Sequence, residues 1–201
     1  MALKPPSRSF SKLTLATVSV VPLALFRISK FSTGEPYFGR TGNNRFDDPS
    51  LPKSKRYGVS YFGLALNTAV AETLLHDEVA VNGQFEVSSA DFALHFLVRF
   101  DGTPLVLADL TGQSLKTLGG DGSISTELPA KMPRRWSGSV HAHPQNVDGN
   151  LYMSRHLNDR KAVALFDRAK PKLIARNYTP LPAARSALAA VRALHISLQY
   201  P

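Results

Sequence analysis

Short apolar runs separated by glycine- and proline-rich segments constrain the fold of this chain more than any other feature of its sequence. The runs are rich in valine, leucine and phenylalanine, and they cover residues 25–28, 57–64, 92–100, 105–110, 150–154 and 162–166. Runs of this length between turn-forming residues predict β-strands rather than helices. Residues 173–174 are expected to add a closing strand. The chain is therefore expected to fold around a sheet of short strands.

Two segments instead show the spacing of a helix. Asn67 is a suitable N-cap for a helix over residues 68–76, and the spacing of Ala69 and Glu72 places both on one face. Residues 182–198 are rich in alanine and leucine, with Arg185 and Arg192 on the polar side of an amphipathic pattern. Together with the strands, these helices predict an α+β fold: a compact single domain of mixed or antiparallel short strands with few helices.

The length of 201 residues suits one domain with appendages. We expect a basic, partly flexible lead-in over residues 1–22, and a C-terminal helical extension over residues 176–201; the domain between them, residues 23–175, is the part covered by the family resemblance described below. Residues 32–54 are rich in glycine, proline, asparagine and aspartate, which predicts a long loop. A loop of this length in a compact domain usually serves a function or is mobile.

Charge and cysteine content limit the kinds of partner. The 24 basic and 15 acidic side chains give a net charge of +9, which suits an anionic ligand, an acidic protein or nucleic acid. The basic residues are scattered, whereas a nucleic-acid groove usually needs a dense basic stripe with interleaved aromatic residues. A nucleic-acid-binding module is therefore the weaker alternative. The absence of cysteine excludes disulfides and thiolate metal sites, and it is compatible with the cytoplasm.

An apolar stretch near the N-terminus superficially resembles a signal peptide. It covers residues 13–26, is interrupted by Pro22, and is too short to span a bilayer. We therefore expect a first strand and its lead-in here, a cytoplasmic protein and no membrane partner.

Five polar residues stand in apolar surroundings far apart in the sequence. They are Arg27, Arg45, Tyr61, Glu72 and Ser154. Because a charge on an apolar face is costly to bury without a partner, such residues are candidates for a shared site. Arginine offers forked donors to phosphate, and glutamate stabilises a developing positive charge. The set predicts a pocket for a phosphorylated sugar.

In their order along the chain, the motifs around these residues resemble the RES domain family. The resemblance covers residues 23–175, and the matching motifs are Phe26-Arg27-Ile28, Asn44-Arg45-Phe46-Asp47, Tyr57-Gly58-Val59-Ser60-Tyr61-Phe62, Asn67-Thr68-Ala69-Val70-Ala71-Glu72-Thr73, Trp136, Asp148-Gly149-Asn150-Leu151-Tyr152-Met153-Ser154-Arg155 and Lys161-Ala162-Val163-Ala164-Leu165-Phe166. The family's name comes from an Arg, a Glu and a Ser. These correspond here to Arg27 or Arg45, to Glu72 and to Ser154.

The resemblance implies a fold like that of the ADP-ribosyltransferase toxins and an enzyme that degrades NAD by hydrolysis or phosphorolysis. NAD would then be a substrate rather than a bound cofactor, and no metal would be needed. The family's toxins are neutralised by a helical, Xre-like antitoxin whose C-terminal end occludes the active site. A few members modify proteins instead, so ADP-ribosylation of a protein target is a close alternative. A homodimer is also left open.

The resemblance also implies roles for the five residues. Glu72 would stabilise the oxocarbenium-like transition state, and Arg27 and Arg45 would bind the pyrophosphate of NAD. Tyr61 would stack on the nicotinamide or bond to the ribose. Ser154 would bond to the ribose or orient Glu72.

Two other constellations offer competing interpretations. His141 and His143, with His156 or Asp148, offer ligands for zinc, but the surrounding prolines and glycines favour a loop. Ser154, His156 and Asp159 have the composition of a hydrolase triad without the Gly-x-Ser-x-Gly elbow. We therefore predict neither a metal site nor a serine hydrolase.

Overall fold

The computed structural model describes residues 3–50 and 52–200 of the chain. Its strands are β1 Thr17–Val20, β2 Phe26–Ser29, β3 Val59–Gly63, β4 Phe85–Ser88, β5 Phe96–Gly102, β6 Leu105–Asp109, β7 Gly149–Met153, β8 Lys161–Phe166, β9 Leu173–Pro180 and β10 Ile196–Gln199. Its α-helices are α1 Leu66–Leu74, α2 Ser89–Ala93, α3 Gly112–Thr117, α4 Ser123–Thr126, α5 Lys131–His141 and α6 Arg185–Ala193. The short 3-10 turns are Phe10–Lys12, Pro22–Ala24, Lys53–Lys55, Asp167–Lys172 and Leu181–Ala183.

One large sheet organises the part of the chain that the structure describes. Its strands lie in the order β1-β6-β7-β8-β3-β2-β5-β9, and each neighbouring pair is antiparallel except β6 and β7. A separate parallel pair is formed by β10 and β4. The predicted α+β fold, with mixed or antiparallel short strands and few helices, is confirmed.

The sheet opens between β2 and β3. Their only register pair within the described residues is Phe26 with Gly63, whereas β3 pairs with β8 along its whole length. Helix α1 begins directly behind this point. A Cβ on Gly63 would lie 2.6 Å from the backbone nitrogen of Ala69, so only glycine allows the helix to start so close to the strand. The gap between β2 and β3 therefore faces α1.

The two sides of the sheet are packed by different elements, as the alternation of side chains along a strand requires. Ala162, Ala164 and Phe166 of β8 join a core with Trp136 of α5, while Val163 and Leu165 point to the opposite side. Helices α1 and α6 pack over β2 in a further apolar cluster. The cluster of α1 and α6 thus lies beside β2, where the sheet opens.

The basic lead-in, expected to be partly flexible over residues 1–22, is packed onto the domain where it is described. Leu3, Phe10 and Leu15 are buried, and the indole nitrogen of Trp136 donates to the carbonyl of Lys4 at 2.9 Å. Strand β1 adds the edge of the sheet beside β6. The apolar side chains among the basic ones account for this packing. Residues 1–2 lie outside the described part.

The C-terminal segment differs from the expected helical extension over residues 176–201. Residues 176–180 complete β9, an edge strand of the main sheet, and residues 196–199 form β10, so only α6 is helical there apart from a 3-10 turn. Helix α6 ends at Ala193, and His195 adopts a positive φ of 53° before the chain enters β10. Pairing with β4 overrides the helical pattern at this end.

Two smaller differences concern secondary-structure boundaries. Phe92, at the start of a predicted strand, lies instead in α2, with Ser88 as its N-cap accepting from the backbone of Asp91. Helix α1 begins after Ala65 rather than after Asn67. In the described residues no helix is long and apolar enough to cross a membrane.

Candidate functional site

A cavity of about 610 Å³ lies where β2 and β3 diverge. Its walls come from β2, β3, α1, the loop around Arg45 and the segment after β7. Arg27, Arg45, Tyr61 and Glu72 all line it, and Ser154 lies directly behind Glu72. Sites of this size and concavity commonly hold small ligands. The structure therefore brings together all five residues that the sequence singled out.

Glu72 is held in place by Ser154. The Ser154 hydroxyl donates to Oε1 of Glu72 at 2.5 Å, although the two residues are 82 positions apart. Glu72 sits on the half-buried side of α1, next to the buried residues Ala69 and Ala71. A carboxylate fixed by a short, charge-assisted hydrogen bond is oriented before any ligand arrives. Its other oxygen is left for the cavity.

The remaining hydrogen-bonding capacity of Ser154 is used by the backbone. Its Oγ accepts from the N–H of His156 at 3.2 Å and of Leu157 at 3.1 Å, and the residue is buried. A hydroxyl has one donor and two acceptor positions, so all three are occupied. Ser154 is thus arranged to orient Glu72 rather than to bond a ribose. It also lacks the free, base-activated hydroxyl of a hydrolase nucleophile, and Asp159 pairs with Arg160 instead.

Tyr61 anchors the loop that carries Arg45. Its hydroxyl donates to Oδ1 of Asp47 at 2.9 Å and accepts from the backbone N–H of Phe46 at 3.0 Å. Burial, and next the nearby negative charge of Asp47, raise the pKa of Tyr61 well above its usual value. The ring of Tyr61 remains available to stack on a ligand. Its hydroxyl is committed to the loop, so the geometry does not favour a bond from it to a ribose.

The loop is fixed by further contacts of Asp47. This buried carboxylate also accepts from the Thr41 hydroxyl at 3.1 Å and from the backbone N–H of Asn44 at 3.1 Å. Arg134 holds the same loop from α5 by donating to the carbonyls of Asn43 and Asn44. The segment around Arg45 is therefore pre-organised, although residues 32–50, most of the predicted loop over residues 32–54, contain no helix and no strand.

Arg45 is half-buried in the cavity wall and donates to the carbonyl of Glu127 at 2.9 Å. Burial lowers its pKa, and the neighbouring positive charge of Arg155 lowers it further, while Tyr152 and Glu72 act in the opposite direction. Arg45 does not pair with Asp47, whose oxygens are taken by Tyr61, Thr41 and Asn44. Among the residues that the structure describes, no carboxylate forms an ion pair with the guanidinium of Arg45, which lines the cavity.

Arg27, unlike Arg45, forms an ion pair with a carboxylate. Its Nε lies 2.8 Å from Oε2 of Glu35, a carboxylate whose side chain is only 1% exposed. Its Nη1 donates to the carbonyl of Tyr61 at 3.0 Å, bridging the strands where β2 and β3 have separated. Glu35, in the long loop, is not among the residues that the sequence singles out. Arg27 therefore lines the cavity with its charge already balanced.

The structure adds four residues to the site that the sequence interpretation does not place there. Tyr152, Arg155, His156 and His76 line the same cavity. Tyr152 is buried against Phe46, with ring centroids 4.5 Å apart, and its neighbour Glu72 raises its pKa further after burial. For Tyr152, the available signal was its two-residue spacing from Asn150 in β7 and from Ser154 directly after the strand.

His156 and His76 form part of the cavity rim. Their ring centroids are 5.2 Å apart, and Nη2 of Arg155 lies 3.5 Å from Nε2 of His156. Burial lowers the pKa of His156; Glu72 opposes the change, while Arg155, His76 and Arg45 add to it. A neutral imidazole at pH 7 is the consequence, because its ordinary pKa is already near 6.5.

The histidines considered as zinc ligands have other contacts. His141 stacks on Tyr57 with centroids 3.9 Å apart, and burial lowers its pKa to about 4. His143 is buried and contacts the carbonyl of Leu13 through Nε2 at 3.1 Å. Within residues 3–50 and 52–200, no group of three or more metal-binding side chains comes together.

In chemical terms, the cavity combines one oriented carboxylate, two neighbouring guanidiniums, a third that is ion-paired, and aromatic walls. A carboxylate in a cleft can stabilise positive charge that develops on a ligand. Arginines without carboxylate contacts can bind a phosphate group. Tyr61 and Tyr152 offer surfaces for a planar ring or a sugar.

Comparison with known proteins gives three matches. The model of the RES domain matches residues 24–186. The protein "Probable toxin y4kH" of Sinorhizobium fredii (strain NBRC 101917 / NGR234) is 35% identical over 78 residues, which are 39% of this chain and 61% of that relative. The chain thus spans less than two thirds of the relative's length. The crystal structure of the M. tuberculosis MbcT–MbcA toxin–antitoxin complex is 12% identical, has a TM-score of 0.61, and covers 88% of this chain and 96% of that one. This last similarity shows the fold.

Proposed function

Since the chain belongs to the RES domain family, we propose that it is a toxin that depletes NAD by cleaving the bond between nicotinamide and ribose. The observation that carries the proposal is the carboxylate of Glu72, fixed by the Ser154 hydroxyl at 2.5 Å in a cavity that also holds Arg45 and Arg155. A cation-stabilising group beside phosphate-binding groups matches the two halves of such a substrate.

The proposed reaction begins with cleavage of the bond between nicotinamide and ribose. As the carbon–nitrogen bond breaks, its electron pair leaves with the nicotinamide ring, and positive charge develops on the ribose. Glu72 stabilises that charge electrostatically, and because Ser154 already orients it, little reorganisation is needed as the charge forms. An acceptor oxygen then bonds to the ribose carbon and releases its proton to the solvent.

The group that accepts the ADP-ribosyl unit determines which of three reactions takes place. Water gives hydrolysis and free ADP-ribose, inorganic phosphate gives phosphorolysis and ADP-ribose 1″-phosphate, and a protein side chain gives a modified target. We propose water or phosphate, with modification of a protein as the alternative.

The partner we propose is an antitoxin that covers the cavity. A helical, Xre-like antitoxin whose C-terminal end enters the active site would meet the positive charges of Arg45 and Arg155 in the cavity lining. One relative is named a probable toxin, and one protein of similar fold was solved in a toxin–antitoxin complex. The chain's net charge of +9 also suits a partner with an acidic surface.

Product analysis tests the proposal directly. The purified protein is incubated with NAD labelled in the adenosine part, with and without inorganic phosphate, and the products are separated by chromatography and mass spectrometry. We expect nicotinamide together with ADP-ribose or its phosphate. If nicotinamide is not released under either condition or with cell extract added, the proposal is wrong. Label that appears only on protein in the extract selects the ADP-ribosylation alternative.

A further inference from the structure

Arg155 is the cavity residue whose charge has the least compensation. Its one hydrogen bond among the described residues is to His156, at 3.5 Å, and it takes part in no ion pair with a described carboxylate. It is half-buried and lines the cavity together with Arg45. By contrast, Arg160, five positions later, is exposed and pairs with Asp159.

Arg45 and Arg155 therefore bring two guanidiniums to the lining of one cavity, which also contains the carboxylates of Glu72 and Asp77. The charge of Arg155 lowers the pKa of Arg45, and that of Glu72 raises it. Oε1 of Glu72 is already engaged by Ser154. Partly buried like charges that line the same cavity cost free energy unless an anion joins them. This arrangement is typical of a ligand site rather than of a structural ion pair.

The surroundings keep Arg155 and Arg45 directed at the cavity. Nε2 of His156 is positioned to accept from Nη2 of Arg155, a role open only to the neutral imidazole. Arg45 is held from behind by the carbonyl of Glu127 at 2.9 Å. Each guanidinium has five N–H donors, so several remain free for a ligand.

We propose that Arg45 and Arg155 form a subsite for a phosphate group, in which Arg155 supplies a bidentate contact. A phosphate group presents several acceptor oxygens and a charge that balances both arginines. Two sources share this chemistry: the pyrophosphate of a dinucleotide, and inorganic phosphate as the acceptor in phosphorolysis. Which of the two applies rests on the proposed function, whereas the subsite itself does not.

Calorimetric binding tests the subsite without turnover. Inorganic phosphate and ADP-ribose are titrated separately into the wild-type protein, Arg155→Gln and the matched control Arg160→Gln, which removes the same charge outside the cavity. We expect the affinity for at least one of the two probes to fall on the order of tenfold in Arg155→Gln, as loss of a charge-assisted hydrogen bond predicts. Arg160→Gln should bind like the wild type.

The probe whose affinity falls in Arg155→Gln identifies the source of the phosphate group that the subsite binds. A loss confined to ADP-ribose assigns the subsite to the pyrophosphate, and a loss confined to inorganic phosphate assigns it to the acceptor. No binding of either probe to the wild type, unchanged affinities in Arg155→Gln, or an equal loss in Arg160→Gln would overturn the proposal. A wild-type protein that binds ADP-ribose but releases no nicotinamide from NAD refutes the proposed function and leaves the subsite standing.

Thermal unfolding of each variant shows whether it is folded. If Arg155→Gln does not fold, Arg155→Lys replaces it, because lysine keeps the charge but loses the planar fork. The lysine variant should bind the responding probe more weakly than the wild type. Wild-type affinity in a folded Arg155→Lys protein would exclude the bidentate contact.

Discussion

Two groups of cavity residues, which we call the Arg27 end and the Arg45 end, contain the same residue type in opposite electrostatic states. At one end Arg27 is paired with Glu35 at 2.8 Å and also bonds a backbone carbonyl, so its charge is balanced by the protein. At the other end Arg45 and Arg155 stand together beside Glu72, with no ion pair to a carboxylate of the described residues. The comparison teaches that the residue type alone does not identify a ligand-binding arginine; the decisive feature is whether the fold supplies its counter-charge.

The difference suggests that the Arg27 end has a structural role and that the Arg45 end has a role in binding and chemistry. The balanced Arg27 end ties the long loop to the point where β2 and β3 separate, which is a structural task. The Arg45 end holds the oriented carboxylate and the unbalanced cations, which is what binding and chemistry require. Changes at the first end should therefore act mainly on stability, and changes at the second mainly on ligand binding and activity.

The largest expected effect comes from Glu72→Gln at the Arg45 end. The substitution keeps the shape but removes the charge that stabilises the cationic transition state, so nicotinamide release should fall about 10²–10³-fold. The rate of nicotinamide formation measures it. Glu78→Gln, on an exposed position of the following segment, is the matched control and should keep wild-type activity. A Glu72→Gln protein that is as active as wild type removes Glu72 from the mechanism.

The next effect tests the stability side of the comparison. Arg27→Met leaves the buried carboxylate of Glu35 without its partner and should lower the free energy of unfolding by about 3 kcal/mol. Arg45→Met breaks no ion pair, so it should change the free energy of unfolding by less than about 1 kcal/mol. Urea titrations followed by circular dichroism compare the two.

A rescue variant makes this test specific. Adding Glu35→Gln to Arg27→Met removes the orphaned charge and should recover part of the lost stability. Equal losses for Arg27→Met and Arg45→Met would mean that the two ends do not differ in the way the geometry indicates.

A smaller effect is expected for Ser154→Ala. The variant loses the bond that orients Glu72, so activity should fall on the order of tenfold, the equivalent of about 1.4 kcal/mol. In the Glu72→Gln background the same change should have little further effect on activity, since the two residues act as one unit. Independent, additive losses in this double-variant cycle would show that Ser154 does not work through Glu72.

The smallest effect concerns pH. The pKa of His156 is lowered in the folded protein by burial, with Glu72 opposing and Arg155, His76 and Arg45 adding to the shift. The unfolded chain therefore takes up a proton more readily, so this contribution to stability is present above about pH 6.5 and is lost as the pH falls below it. Because the side chain is partly exposed, the contribution should be under about 1 kcal/mol.

His156→Gln isolates this contribution. Thermal unfolding is measured for both proteins between about pH 7.5 and about pH 5, on either side of the ordinary histidine pKa, and the variant should lose less stability than the wild type over that interval. Identical pH dependence in the two proteins would show that His156 carries no such penalty at the Arg45 end.

Much of this organisation could be predicted from the sequence, because it depends on local pattern. The short apolar runs with turn-forming flanks indicated strands, and β2, β3, β6, β7 and β8 lie within or close to the predicted segments. The spacing around Glu72 placed it on a helix face towards the core, and the long loop was correctly expected. Where a partner from elsewhere decided the outcome, as for β10 beside β4, the local pattern was misleading.

By itself, the sequence determined the fold class and the five residues of the cavity, since periodicity and the order of motifs are properties of the chain. Only the tertiary structure decided that Glu35 neutralises Arg27, that Ser154 orients Glu72, and that Arg155 joins Arg45. The physical reason is that charge balance depends on distances between groups far apart in the chain. Those distances are set by how the sheet opens between β2 and β3.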